Sequence, residues 1–403
     1  MYVKRLSLEN FRNYADLTLE FPPRINVLQG QNAQGKTNFL ETIYYLSTTK
    51  SPRASTYSEL MRFGAHEEVI PHTDIEAVFV REKEEHTLSM TIVKEPVEGS
   101  RDFSYHRRIE LDGVEQRAFD VVGRLSTVLF FPEDITIVSG APSDRRRYMD
   151  ILLCQVDARY CQALSRYNRV IRQRNALLRQ IRENLTGAGQ LDYWDEQLAG
   201  PATLVLARRF WATRELDAAA GQKQRALTGD AEELTITYES TLAEKSTLSE
   251  QEDWYKQDDL ALLDEGALSR LEQIFLRTLR RIRDEEIERG VTIIGPHRDD
   301  LHFWLNGVDA TTYCSRGQQR TVALALKLAE VTLMYEEIGE MPVLLLDDML
   351  SELDRERSRL LLDTISRAQQ VFVTTTDVDY FSPAFLETSV TWKVVEGSIR
   401  PLK

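Results

Sequence analysis

The sequence predicts an α/β protein: a mixed sheet with helices, split along the chain, plus an inserted α-helical arm. Three observations carry this expectation. Alternating strand patterns fill the N-terminal part of the chain. From Ser143 those signals give way to long helical patterns. After Val291, helices return interleaved with non-alternating apolar runs such as Val343-Leu344-Leu345-Leu346, which fit strands buried on both faces of a parallel sheet. The expected division is 1–142 for the first part of the body, 143–290 for the arm and 291–403 for the second part of the body.

The elements follow in order. Val3 to Leu8 and Leu17 to Phe21 alternate as two strands, joined by a polar turn from Asn10 to Asp16. Ile25 to Leu28 reads as a short buried strand. Thr37 to Leu46 then reads as a helix with Phe39, Leu40, Ile43, Tyr44 and Leu46 on its apolar face. Pro52 to His72 has no clear period, and strands resume at Asp74 to Val80 and Thr87 to Val93. Asp112-Gly113 and Asn306-Gly307 supply the positive φ angles of type I′ turns and predict two similar hairpins. In the arm, Asp144 to Arg182, Trp194 to Ala220 and Ala267 to Glu288 read as helices. Leu268, Leu271, Phe275, Leu279 and Ile282 line one face of the third, and Gly200-Pro201 is expected to kink or restart the second. A helix from Gln318 to Glu336, the strand ending at Asp347, a helix through Arg357 to Arg367 and the strand Val371 to Val373 complete the body.

With 403 residues, 42% hydrophobic and 28% charged, the composition is that of a soluble globular chain with room for two or three domains. No uncharged apolar run approaches a membrane span, and Lys4, Arg5 and Glu9 stand where a signal peptide would need an apolar core. Three cysteines in no C-x-x-C pattern are expected as free thiols, so the expected compartment is the reducing cytoplasm. A net charge of -14 argues against nonspecific nucleic-acid binding over the whole surface. The charge is segregated, however. Asp144 to Arg182 holds ten arginines and three acidic residues, and Asp230 to Glu265 holds twelve acidic residues against Lys245 and Lys256. A basic face for an anionic partner is therefore expected on the arm.

The chemistry begins at Gly30-Gln31-Asn32-Ala33-Gln34-Gly35-Lys36-Thr37, which fits the P-loop pattern G-x-x-x-x-G-K-[ST] between a strand and a helix. The glycines let backbone N–H groups close around phosphate oxygens, where the helix dipole favours an anion. Lys36 is expected to reach the terminal phosphates and the Thr37 hydroxyl to ligate Mg²⁺. By composition, such a match arises by chance in about one chain in a hundred of this length. Leu344-Leu345-Leu346-Asp347 is a Walker B pattern, an apolar strand ending in a carboxylate for Mg²⁺. Asp348 follows as a candidate to orient attacking water, with Glu352 as the alternative base. Ser315-Arg316-Gly317-Gln318-Gln319 opens a long helix, so a hydroxyl, free N–H groups and a dipole converge at one end. A plain helix cap would use the same serine.

Upstream of a Walker B strand, that stretch is similar to the ABC-ATPase signature. The likeness implies a head-to-tail homodimer with two ATP molecules, each between the P-loop of one subunit and Ser315, Gly317 and Gln318 of the other. Leu8-Glu9-Asn10-Phe11-Arg12-Asn13-Tyr14 resembles the opening of SMC-like ATPases, in which Arg12 would lie beside the phosphates. Together with Phe131-Pro132-Glu133-Asp134, Gly140 to Ser143, Arg145 to Arg147, Gly295 to Asp300, Arg316 to Thr321 and Leu344 to Asp354, these segments span the chain. The whole resembles the RecF family of bacterial recombination mediators. The resemblance implies an ABC/SMC-like P-loop ATPase head with a short arm. It further implies DNA binding without sequence readout, ATP-dependent dimerisation and slow hydrolysis. RecO and RecR are the implied partners, in loading recombinase at single-strand gaps and duplex junctions during repair, replication restart and the SOS response. Asp348 departs from the glutamate usual in the superfamily, and Thr374-Thr375-Thr376-Asp377 stands where a histidine is usual.

Arg166, Arg169 and Arg172 point broadly one way on a helix, with Arg145, Arg146 and Arg147 at its start. They are candidates to track DNA phosphates. The alternatives are a solvated face, pairing with the acidic segment, or, for Arg145 to Arg147, bracing of the ATPase body. His297 and Arg298 lie in a sharp Gly-Pro turn where a structural role and a ligand role are both open. The competing functional classes are the ATPase subunit of an ABC transporter, another SMC-like ATPase, and a metabolic P-loop kinase. The kinase would have no use for Ser315 to Gln319.

Overall fold

The computed structural model describes residues 1–67, 70–97, 102–246 and 264–402, without the side chains at 66, 67, 351, 352, 355, 356 and 380. The chain forms two compact units, 1–134 with 327–403, and 135–326.

The first unit holds two sheets. Strands β1 (Tyr2–Phe11), β2 (Tyr14–Glu20), β3 (Ile25–Gln29), β4 (His72–Arg81), β5 (Glu84–Pro96), β6 (Phe103–Leu111), β7 (Val114–Glu115) and β8 (Thr127–Phe130) come from its first segment. Six of these form an antiparallel sheet in the order β2-β1-β4-β5-β6-β7. The β1–β2 turn is tighter than the polar stretch suggests. Pairing continues to Phe11 and Tyr14, so Arg12, with φ 53°, and Asn13 turn the chain in two residues. The Asp112-Gly113 turn forms as expected, with φ angles of 52° and 77°.

The second sheet joins both segments of this unit. Four later strands, Val343–Asp347, Val371–Thr375, Ser389–Val395 and Ser398–Pro401, combine with β3 and β8. Val371–Thr375 lies between β3 and Val343–Asp347 and is parallel to both, and β8 and Ser389–Val395 extend the parallel set on either side. Only Ser398–Pro401 runs antiparallel, at the edge. Helix α1 (Lys36–Thr48) contacts both sheets, against Val343–Asp347 and β8 on one side and β4 and β5 on the other. It is therefore buried nearly all round, beyond the single face its periodicity indicates. Phe39 on α1 meets Phe21 and Phe372 at centroid distances of 5.4 and 5.6 Å, and Phe21 also packs on Trp392 at 5.0 Å. Such aromatic contacts, worth about 0.5–1.5 kcal/mol each beyond area burial, lock the P-loop helix to the parallel sheet.

The second unit is helical around a small sheet. The single helix expected from Asp144 to Arg182 is two, Pro142–Val156 and Ala158–Arg182. Asp157 breaks it, and its carboxylate caps the second helix by accepting from the backbone N–H groups of Arg159 and Tyr160. Leu191–Thr228 runs unbroken for 38 residues through Pro201, so the expected restart does not occur. The third helical stretch divides at Ile282 into Glu265–Arg281 and Arg283–Arg289. Strand signals do not stop at Ser143. Leu234–Glu239, inside the acidic segment, pairs antiparallel with Asp300–Leu305, which in turn pairs with Val308–Asp309. This sheet is why the second hairpin and Ser315 belong to the arm unit, which is wider at both ends than the expected 143–290. Residues 247–263 of the acidic segment lie outside the described residues.

Asp134 is half-buried in the first unit, and burial pushes its carboxyl up to about 7 despite Lys327 nearby and a hydrogen bond from the Phe131 N–H at 2.8 Å. A carboxyl with a pKa raised on folding adds stability that is fully present below its unfolded value near 3.8 and lost as pH rises through about 7. In urea titrations, wild type is expected to lose stability relative to Asp134→Asn over that window. Parallel pH profiles would exclude the buried proton.

Candidate nucleotide site

In a parallel sheet, loops at the carboxyl ends of neighbouring strands converge. Here those ends carry the P-loop after β3, Asp347 at the end of Val343–Asp347, and Thr374 to Asp377 around the end of Val371–Thr375. The predicted pair meets. Thr37 Oγ1 donates to Asp347 Oδ2 at 2.7 Å, although 310 residues separate them. A hydroxyl and a carboxylate oxygen this close fit adjacent positions of an octahedral oxygen site, the chemistry Mg²⁺ prefers. Burial pushes the Asp347 carboxyl up, opposed by hydrogen bonds from Thr374 and Thr37.

Lys36 is buried, and its Nζ donates to the carbonyls of Gly30 (2.6 Å) and Gln31 (2.9 Å) inside its own loop. Burial lowers its pKa, while Asp348 and Asp347 act in the opposite direction. The loop is thus closed around the ammonium, as a phosphate cradle requires. Asn32 and Ala33 are exposed on its outer side, and Ala33 takes φ 64°.

Three clamps from outside the P-loop motif hold the loop. Gly30 N–H donates to Thr375 O at 3.1 Å. Asn13 Nδ2 donates to Gln34 O at 3.1 Å, and the Asn13 amide fills the space beside Gly35, which has φ +113°. The Glu396-Gly397 turn donates from the Glu396 N–H to Gln34 Oε1 (2.8 Å) and from the Gly397 N–H to Gln34 O (3.0 Å). Asn13 belongs to the recognised opening stretch Leu8 to Tyr14, but nothing in the sequence marks the 396–397 turn as part of the site.

Arg12 is engaged by its own chain. It makes a bidentate pair with Glu41 on α1 (2.9 and 2.7 Å), and its Nη1 donates to Glu59 O at 2.6 Å. Glu41 is fully buried and needs a cation, so the guanidinium is held against the helix that follows the P-loop. Among the four residues in place of the histidine, Thr374 Oγ1 donates to Asp347 Oδ1 at 2.7 Å and accepts from the Asp348 N–H at 3.0 Å. Thr375 Oγ1 donates to Asp377 O at 2.6 Å, and Thr376 and Asp377 are exposed. Asp348, with φ 49°, is half-buried beside the site and acts electrostatically on both Lys36 and Asp347. The Glu352 side chain lies outside the described residues.

In the second unit, Ser315 and Gln318 form a reciprocal cap on Arg316–Ile338. Gln318 N–H donates to Ser315 Oγ at 3.3 Å, and Ser315 N–H donates to Gln318 Oε1 at 3.0 Å. Gln318 Nε2 also donates to Glu232. Gly317 is exposed, with no atom closer than 3.9 Å to where a Cβ would stand. The hydroxyl serves as the helix cap and retains its own proton for a further acceptor.

The basic face needs correction. Arg145 is buried and makes a bidentate pair with Asp300 (2.8 and 2.7 Å) while donating to Gly140 O, so it braces the arm unit and cannot track DNA. Arg146 is half-buried and donates to Asp299 O at 2.8 Å. Arg147, Arg166, Arg169 and Arg172 are exposed. Among the described residues, none of Arg166, Arg169 and Arg172 forms an ion pair, and Arg166 donates to Gln197 at 2.8 Å. His297 is structural. Its Nε2 faces Thr292 O (3.2 Å), which can only accept, so Nδ1 accepts from the Tyr167 hydroxyl at 2.6 Å. Burial pushes its pKa down to about 4 and keeps it neutral.

A strand, phosphate loop and buried helix, a Walker B carboxylate two strands away, and a capped helix opening with Ser-x-Gly-Gln define an ATPase head of the ABC and SMC class. A family model described as the RecF/RecN/SMC N terminal domain matches residues 2–398. The DNA replication and repair protein RecF of Roseiflexus castenholzii is 40% identical over 411 residues, covering 100% of both chains. Its namesake from Bacillus subtilis is 38% identical over 400 residues, covering 99% of this chain and 100% of the relative. A solved structure of the recombination mediator protein RecF-ATPrS in the RecFOR pathway superposes with TM-score 0.83 at 30% identity, covering 100% of this chain and 98% of that one. An Smc head from Pyrococcus furiosus, at TM-score 0.50 and 14% identity over 100% of this chain and 96% of that one, shares the fold alone. The chain belongs to the RecF family.

A Cβ at Gly30 would stand 2.5 Å from the backbone oxygen of Val394. Gly30→Ala is therefore expected to shift the loop and weaken fluorescent-nucleotide binding by about tenfold or more, while circular dichroism stays native. Wild-type affinity would show that the close approach is not required.

Proposed function

We propose that this protein binds ATP with Mg²⁺ at Gly30 to Thr37 and Asp347, dimerises on ATP, and hydrolyses it slowly while bound to DNA. The observation that carries the reading is the Thr37–Asp347 contact at 2.7 Å, in a chain whose relatives are DNA replication and repair proteins and whose structural neighbour carries a nucleotide. The P-loop amides and Lys36 hold the phosphates, and Thr37 and Asp347 hold the metal, which supplies charge neutralisation. Asp348 orients the attacking water. An aspartate is one methylene shorter than glutamate, and the longer reach to water suits a switch with slow turnover. Glu352 is the second candidate for that role. Ser315, Gly317 and Gln318 complete the partner's site, the hydroxyl proton and the free helix N–H groups meeting the terminal phosphate.

On DNA, Arg147, Arg166, Arg169 and Arg172 contact phosphates and so give affinity without sequence preference. The membership in the RecF family supports a role with RecO and RecR in loading recombinase at single-strand gaps and duplex junctions. No helix among the described residues is long and apolar enough to cross a membrane, and a transporter subunit would have no use for a basic arm.

Sedimentation with ATP and Mg²⁺ is expected to show a dimer for wild type and monomers for Lys36→Met and Ser315→Arg. A wild type that stays monomeric with bound nucleotide would sink the two-subunit site. In a salt titration of duplex binding, charge reversal at Arg166, Arg169 and Arg172 should lower affinity on all sequences alike. The slope of log K against log salt should fall by about one per lost phosphate contact. An unchanged slope would place DNA elsewhere.

A further inference from the structure

Away from the nucleotide site, Glu9, His72 and Asp74 bring three ligand atoms within 4.8 Å of one another. Their placement follows from the backbone. Glu9 on β1 stands directly opposite Asp74 on β4 in the antiparallel register, and His72 precedes Asp74 by two residues. Side chains two apart on one strand share a face, and a cross-strand partner joins them there. The His72 ring is oriented by its Nδ1, 3.0 Å from the carbonyl of Ile70, which can only accept. That contact fixes Nδ1–H and aims Nε2 at the carboxylates, 3.2 Å from Glu9 Oε1 and 3.6 Å from Asp74 Oδ2. The other Asp74 oxygen is held by the Thr91 hydroxyl at 2.5 Å.

We propose that Glu9, His72 and Asp74 form a divalent transition-metal site on the antiparallel sheet, one that takes Zn²⁺. Ligand atoms around a tetrahedral ion with bonds of about 2.0–2.1 Å lie about 3.3 Å apart, and the two nitrogen–oxygen separations bracket that value. A histidine whose other nitrogen donates to a backbone carbonyl, with a carboxylate braced by a neighbouring hydroxyl, is the outer shell that metal ligands use. One imidazole with two carboxylates suits Zn²⁺ over Mg²⁺, which prefers oxygen ligands alone. The side chains are 28% (His72), 54% (Glu9) and 43% (Asp74) exposed, so solvent water can complete the coordination. A bound ion ties β1 to β4 close to where β1 leads into the turn that presents Asn13 to the P-loop.

The competing arrangement is an imidazolium paired with both carboxylates. Calorimetric titration of the full chain with Zn²⁺ alone, without nucleotide, separates them. Wild type is expected to take up one tight equivalent. Glu9→Gln and His72→Asn should each weaken it by about tenfold or more, while His86→Asn, which removes a histidine paired with a single carboxylate at 2.9 Å, and Asp347→Asn leave it in place. Zn²⁺ should raise the melting temperature of wild type and not of the first two variants, whose folding is checked by circular dichroism. No tight equivalent in wild type, or one that survives in both variants, overturns the site.

Discussion

The contact between the Thr37 hydroxyl and the Asp347 carboxylate is the constraint on which the ATPase unit is built. It requires β3 and Val343–Asp347 to end at the same level of one sheet, with Val371–Thr375 between them. Their parallel registers meet that requirement, and the order of strands follows from it. The intervening strand contributes Thr374, which bridges the Asp347 side chain to the backbone of Asp348. Two successive aspartates are thereby held in different roles. Asp347 is buried with its oxygens engaged, and Asp348, half-buried with a left-handed backbone, acts electrostatically on Lys36.

The second unit uses buried charge where the first uses a parallel sheet. Arg174 is fully buried and divides its donors among Asp195, Thr292 and Glu286, while Arg209 reaches Tyr160, Pro296 O and Asp150. Asp299 accepts from Thr241 and Tyr238, and burial still pushes its carboxyl up. Removing one member of such a network leaves an uncompensated charge, which costs about 3–5 kcal/mol. The Gly-Pro-His-Arg-Asp-Asp segment thus has a physical reason for its composition. Gly295 has φ +115° and lies where a Cβ would meet the Tyr167 hydroxyl at 2.7 Å, and after it Asp299 accepts from Tyr238 and Thr241 and Asp300 from Arg145. Arginines drawn into this network, such as Arg145 and Arg174, are unavailable to an external anion.

Legibility followed locality. The P-loop, Walker B strand, hairpin turns and helix cap depend on neighbouring residues, so pattern alone located them. Element ends were less legible. Asp157 broke a helix whose apolar spacing ran on, and Pro201 failed to break one because burial in the unit overrode the lost hydrogen bond. Leu234–Glu239 was masked by its acidic surroundings, since its strand partner lies more than sixty residues away.

The sequence by itself determined the phosphate chemistry, since G-x-x-x-x-G-K-T and a strand ending in aspartate carry their geometry with them, and it determined the family through motifs spread along the chain. Tertiary structure decided which charged side chains are free to act. Arg12 and Arg145 match their motifs as well as Lys36 matches its own, yet each faces a carboxylate, Glu41 or Asp300, that a distant segment brings to it. A carboxylate in a low-dielectric interior takes the nearest cation, and only the packed chain determines which one that is.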